Sequence, residues 1–279
     1  MNRLLRANFA RLWKNKMFRF GLFALTALGI FQRINVRQDS MEVHYLEEAF
    51  WIQALVIGVI LSIFISLFVG TEYEDGTIRN KIISGHVRSD IYLANVYVCV
   101  AAGWIMCLGC LISSLIAGIP LLGFFHTALS NILLQGICVF ALSAAYAAIY
   151  CFFAMLIPNR TITAIVCILL SFLLLFAGTA VSNRLEESEF YYIPDESLGI
   201  GEIDDGQNSE WVRNPDYLEG ADRRIYEIVL GAIPGGQSLQ LSGMLDECTS
   251  YPEMLSASLG WIVLSCGCGL IFFRRKDLK

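Results

Sequence analysis

Between residues 91 and 159 the chain contains no aspartate, glutamate, lysine or arginine, and none falls between 49 and 70. Both stretches exceed the roughly 20 apolar residues that cross the hydrocarbon core of a bilayer. Charge is sparse throughout: charged residues make up 16% of the 279, and hydrophobic ones 56%. A soluble domain carries roughly 25% charged residues, so an ordinary soluble fold is excluded and a polytopic membrane protein is indicated. A secretory signal is not expected, because no small-residue cleavage site follows the first apolar run.

Several chemistries are missing with the charges. Ion-coupled carriers and proton relays use ionisable groups near the bilayer midplane, and the second to sixth apolar runs have none. The three histidines, His44, His86 and His126, fall in separate loops and form no metal-ligand pattern. No lysine is preceded by the glycines of a phosphate-cradling Gly-x-x-x-x-Gly-Lys-Ser/Thr loop, so the chain is expected not to be an enzyme with its own nucleotide site. An intramembrane enzyme would need a nucleophile with a base, or a metal cluster. Neither is apparent, and no nucleic-acid partner is expected. Of nine cysteines, only Cys248 lies in a polar region. Cys107-x-x-Cys110 has redox-motif spacing but no histidine partner, and in mid-membrane it reads as two small apolar residues.

What remains orders itself along the chain. Residues 2–17 form an amphipathic helix at 100° per residue. Leu4, Leu5, Phe9, Leu12 and Trp13 share one half, and Arg3, Arg6, Arg11 and Lys14 the other, with Lys16 the exception. Such a basic helix with a Leu/Phe/Trp face lies in the membrane interface, with Leu5, Phe9, Leu12 and Trp13 as anchors. A short first span at 20–32 requires Arg19 and Arg33 to snorkel towards opposite headgroup layers. The second span is 49–70. The uncharged stretch beyond 91 divides into spans at 91–118 and 130–157, with Gly118, Pro120, Gly123, His126 and Asn131 marking the turn. Spans at 161–181 and 255–273 complete six. The last carries small residues, Ser256, Gly260, Ser265 and Gly269, that allow close helix approach.

Between the fifth and sixth spans lies an insert, 182–254, with sixteen acids and four arginines. Its seven aromatic residues argue against complete disorder. Near its end, Ile225, Ile228, Val229, Ala232 and Ile233 share a face before Pro234-Gly235-Gly236 breaks the pattern. The expectation there is a short helix at, or dipping into, the membrane. Lysine and arginine set the orientation. The N-terminus, residues 71–90, Arg160 and the C-terminus together hold fourteen bases and five acids, while the opposite side holds six bases and twenty acids. Both termini are therefore expected in the cytoplasm, and the insert outside. The fold class is an all-α polytopic membrane protein: six transmembrane helices, an N-terminal interfacial helix (1–17), a cytoplasmic loop (71–90) and an acidic extracellular insert (182–254).

That loop carries the most informative pattern. Glu72-Tyr-Glu-Asp-Gly76-Thr77-Ile78, followed by Ser89-Asp-Ile91-Tyr92-Leu93-Ala-Asn95, resembles the first cytoplasmic loop of type-two ATP-binding-cassette (ABC) exporter permeases. There an acidic residue, Gly-Thr and an aliphatic residue follow the second span, and Ser/Arg-x-Ile-Tyr opens the third. The interfacial helix, the six spans and the Phe272-Phe273-Arg-Arg-Lys-Asp ending are similar too. The segment 223–242, with Ile-Pro-Gly-Gly-Gln, resembles the family's re-entrant element, whereas 182–222 looks like an addition.

The resemblance implies a multi-pass protein of the plasma membrane, bacterial in origin, in which two six-span copies pair with two cytoplasmic ABC ATPase subunits. ATP and Mg would be bound by those subunits, and no cofactor by this chain. It also implies that Glu72, Tyr73, Glu74, Gly76, Thr77, Ile78 and Arg79 form a coupling element that fits a groove of the ATPase. Scattered polar residues in or beside the spans, Gln53, Asn95, Asn131 and Gln135, are candidates for a translocation path through a lipid-surrounded bundle. The acidic outer face fits export of amphipathic, cationic peptides such as a toxin, bacteriocin or antimicrobial peptide. Export of lipids or small hydrophobic drugs, including antibiotic self-protection, is the alternative within the family. A non-transporting scaffold or sensor is the alternative outside it.

Overall fold

A computed structural model describes residues 1–38, 45–47, 50–193, 210–245 and 250–276. Most of the acidic loop 39–48, Cys248 and the middle of the insert lie outside the described residues, as does the end of the C-terminal tail. In chain order the elements are α1 (Asn2–Lys14), α2 (Lys16–Gln38), α3 (Gln53–Glu74), α4 (Thr77–Ile83), α5 (Arg88–Leu122), α6 (Leu129–Leu156) and α7 (Arg160–Leu185). Then come β1 (Phe190–Ile193), β2 (Glu210–Arg213), α8 (Gly220–Ala232), α9 (Pro234–Leu241) and α10 (Tyr251–Arg275). Helices α2, α3, α5, α6, α7 and α10 are long and apolar enough to cross a membrane, one for each expected span. The chain is an all-α membrane protein by architecture, with one short antiparallel ribbon, β1–β2, that pairs Phe190 with Arg213.

Local chemistry sets the breaks between helices. Asn15 ends α1, and its Oδ1 accepts from the backbone N–H of Phe18 at 3.1 Å, which starts α2. After Pro158, Asn159 caps α7 by accepting from the N–H groups of Thr161 (2.9 Å) and Ile162 (3.1 Å). This satisfies donors that a helix start leaves open. Helix α5 has 35 residues, about 52 Å at 1.5 Å per residue. It outruns a hydrocarbon core of about 30 Å, so part of it stands in or beyond the headgroups. Pro120 lies inside its last turn, and Gly123, with φ +84°, ends it.

Helices α3 and α6 are the most enclosed spans, with 61% and 72% of their apolar windows buried, and the core lies around them. Two expectations change here. The second span does not stop at Gly70, because α3 continues as helix to Glu74. Nor does Arg33 snorkel outwards. Its side chain is wholly buried, with Nη1 donating to the Leu46 carbonyl at 2.7 Å and the guanidinium 5.7 Å from the Phe50 ring centroid. The reason is that α2 packs along α5, where Leu46 and Phe50 meet the Arg33 side chain.

The Pro-Gly-Gly break becomes α9, almost wholly buried against α7, α3 and α6. It crosses α7 at glycines. A Cβ on Gly235 would stand 1.8 Å from the Leu174 carbonyl oxygen, and one on Gly178 would stand 2.5 Å from the Gly236 nitrogen. Only hydrogen fits at that crossing. Polar groups then lock α9 in place. The Gln237 amide donates to the carbonyls of Gly231 (2.7 Å) and Met254 (3.1 Å), Ser258 donates to Gln237 Oε1 (2.7 Å), and Ser238 bonds Tyr146 (3.0 Å). In the last span Gly269 lies against the Tyr92 ring, while nothing stands within 4 Å of a Cβ at Gly260. The small-residue pattern there is only partly used within this chain.

Candidate functional site

The site is built on the last turn of α3. An apolar helix turns polar at Thr71-Glu72-Tyr73-Glu74, and Gly76 then takes a left-handed conformation (φ +64°) that reverses the chain into α4. A side chain is strained at such a φ, and glycine is not. Thr77 Oγ1 donates back to the Glu72 carbonyl at 3.0 Å, and Ile78 is buried, so α4 is held at its first turn.

The Glu72 side chain has no exposed surface. Its Oε1 receives Lys81 Nζ at 2.5 Å and Arg11 Nη1 at 2.6 Å, and its Oε2 receives Asn95 Nδ2 at 2.9 Å. Asn95 Oδ1 accepts from Asn8 Nδ2 at 2.8 Å, and Asn8 Oδ1 accepts from Lys81 Nζ at 3.1 Å. These bonds close a ring, Glu72–Lys81–Asn8–Asn95, with one member each from α3, α4, α1 and α5. The Arg11 guanidinium also lies 3.9 Å over the Phe68 ring. A buried carboxylate is tolerable only when charge and hydrogen bonds compensate it, and here both do.

The next two residues reach other elements. Tyr73 donates from its hydroxyl to the Met155 carbonyl at the end of α6, and Lys276 Nζ donates to that hydroxyl at 2.9 Å and to the same carbonyl at 3.2 Å. Burial pushes the Lys276 ammonium down to a pKa of about 8. Glu74 pairs with Arg160 at the start of α7 at 3.2 Å. Nearby, Arg88 Nη1 donates to the carbonyls of Arg274 (3.0 Å) and Lys276 (2.5 Å), while Arg274 Nε donates to Ser89 Oγ at 2.8 Å. Tyr92 is buried, with its hydroxyl donating to the Ser265 carbonyl at 3.1 Å. One helical turn thus ties both terminal segments and all the spans but α2 into a single block.

The residues expected to meet a partner divide by direction. Glu72, Tyr73, Thr77 and Ile78 brace the element from within, and Gly76 shapes it. Arg79 faces out, beside Asp75, Asn80, Ile83 and Ser84. Ile83 is 73% and Val87 63% exposed at the tip, two aliphatic side chains presented outwards. On α1, Leu12 is buried and Leu5 and Phe9 pack partly on the core, while Trp13 stays exposed. Arg11 departs from the expected basic face because Glu72 draws it inwards.

Asn8, Arg11 and Lys81 are members that the sequence pattern does not single out. A signal existed for Asn8, which sits one helical turn from both Leu4 and Leu12 on the face that α1 buries. The four polar candidates for a path are not brought together. Asn95 belongs to the Glu72 ring. At the opposite end of the bundle Gln53 is buried with both amide atoms unpartnered, Gln135 donates to the Tyr251 hydroxyl at 2.9 Å, and Asn131 is exposed. No protein-family model matches the chain, and no match is found among curated proteins.

Proposed function

We propose that this chain is the membrane-spanning subunit of an ATP-driven exporter, with α4 as the helix that couples it to a separate ABC ATPase. The observation that carries this reading is the Glu72 ring. A seven-residue helix joins the spans through a buried, charge-compensated network, yet leaves Arg79, Ile83 and Val87 outwards. A solvated linker has no use for such bracing, whereas a lever needs it at its root and needs an exposed tip for its motor. On this reading α4 and both termini face the cytoplasm, α1 lies in the inner interface, and the acidic insert faces outwards. Two copies pair, surrounded by lipid, with two ATPase subunits that bind ATP and Mg. The cargo we favour is an amphipathic, cationic peptide, because the insert carries sixteen acids against four arginines.

The test uses the full chain, purified in mild detergent from the cells that make it. Mg-dependent ATP hydrolysis is expected to co-purify, and to disappear with Ile83→Asp while the chain itself remains monodisperse. A preparation free of ATPase activity, or hydrolysis unaffected by Ile83→Asp, would overturn the assignment.

A further inference from the structure

At the end of the bundle away from the termini, a groove of about 580 Å³ runs between α5, α6 and α10. Its walls are apolar, among them Trp104, Leu133, Ile137, Ala141 and Leu259. It is within the size range of sites that hold drug-sized ligands. A second cleft of about 400 Å³ shares Phe50 and Trp51 with it and is lined by Glu47, Gln135, Gln240, Ser242 and Tyr251. The two spaces adjoin at Phe50 and Trp51, one apolar and one polar.

The wall they share holds an unmet donor. Trp51 is 5% exposed, and its indole N–H has no partner. The ring is wedged against α6, with Cη2 2.9 Å from where a Cβ on Gly136 would stand. A buried polar group normally finds a partner, and leaving one unpaired is costly. Among the described residues, Glu47 is the one formally charged side chain lining the cleft. Burial would raise its pKa, but hydrogen bonds, including those from the Thr127 hydroxyl (2.9 Å) and the amides of His126 (3.2 Å) and Thr127 (3.0 Å), outweigh it and lower the pKa. The cleft keeps a negative charge.

We propose that the two spaces form one binding site for an acyl lipid with an ammonium-bearing head. The chain lies in the groove, an ester carbonyl accepts from the Trp51 N–H, and the ammonium faces Glu47. The occupant follows from the sequence of chemistries along the cavity: apolar, then a donor, then a negative charge. A second copy's apolar helix would fill the groove but leave the Trp51 donor unpaired and bring no cation to the Glu47 carboxylate. The site does not depend on the coupling role of α4.

The experiment is native mass spectrometry of the full chain after equilibration with equimolar phosphatidylethanolamine and phosphatidylglycerol. One phosphatidylethanolamine per chain is expected to be retained, about tenfold over phosphatidylglycerol, as for a charge-assisted hydrogen bond. Trp51→Phe keeps the ring and removes the donor, and should lower retention about fivefold. Glu47→Gln should erase the head-group preference while a lipid is still held. Ala141→Phe should expel the lipid, and Ile137→Trp, at the exposed rim, should do so without touching the core. Retention unchanged in both groove-filling variants, no retained lipid in the native chain, or a preference that survives Glu47→Gln would each overturn the proposal. So would efficient disulfide formation between copies carrying cysteine at Leu133, since the groove would then belong to a second chain.

Discussion

Glu72 sets the local energetics of the turn between α3 and α4. With no exposed surface, its carboxylate relies on Lys81, Arg11 and Asn95. Glu72→Gln leaves two cations facing a neutral amide. It should cost about 3 kcal/mol, read as a lower unfolding midpoint of the purified chain. Lys276 gives a pH signature. Its folded-state pKa of about 8 lies below the ordinary lysine value of 10.5, so between those values the unfolded chain binds more protons than the folded one. The contribution of Lys276 to stability should therefore rise as pH increases from about 8 towards 10.5, with its full penalty present below 8. Across that window the unfolding midpoint of the native chain should gain on that of Lys276→Met as pH rises, the difference between the two isolating Lys276. At this scale the sequence was only partly legible. Glu72 stood out by its position in the motif, but the ring members Asn8 and Asn95 are 87 residues apart, and pairing at that separation leaves no periodic trace.

Among the elements, the crossing of α9 over α7 makes the strictest steric demand. Gly235→Ala places a methyl group 1.8 Å from a backbone oxygen that no rotamer change can move. It should destabilise by about 3 kcal/mol. Gly260→Ala, in open space on α10, should leave the purified chain's unfolding midpoint unchanged. Comparing the two midpoints separates close packing from general glycine effects. The spans were legible because uncharged runs of that length suit a bilayer core and little else. The break into α9 was legible because Pro-Gly-Gly cannot continue a helix. The end of the second span was not, since Glu72 counts as loop by charge and becomes helix only when Arg11, Lys81 and Asn95 surround it. The β1–β2 ribbon was equally hidden, its strands being four residues each.

As a whole molecule, the chain is polarised. The termini, the α3–α4 turn and the start of α7 gather at one end through Arg88, Arg160, Arg274 and Lys276. The other end carries Glu47 against the 126–127 turn and the Arg224–Glu253 pair. The basic group of segments coincides with the first end, which fits an exporter whose motor is cytosolic and whose outer face is acidic. That orientation is tested most directly by a cysteine at Ile83 in a Cys248→Ser background, probed with a membrane-impermeant maleimide. The account predicts no labelling in intact cells and strong labelling once the membrane is permeabilised. Labelling of Ile83→Cys in intact cells would place α4 outside, beyond reach of any cytosolic ATPase, and would contradict it.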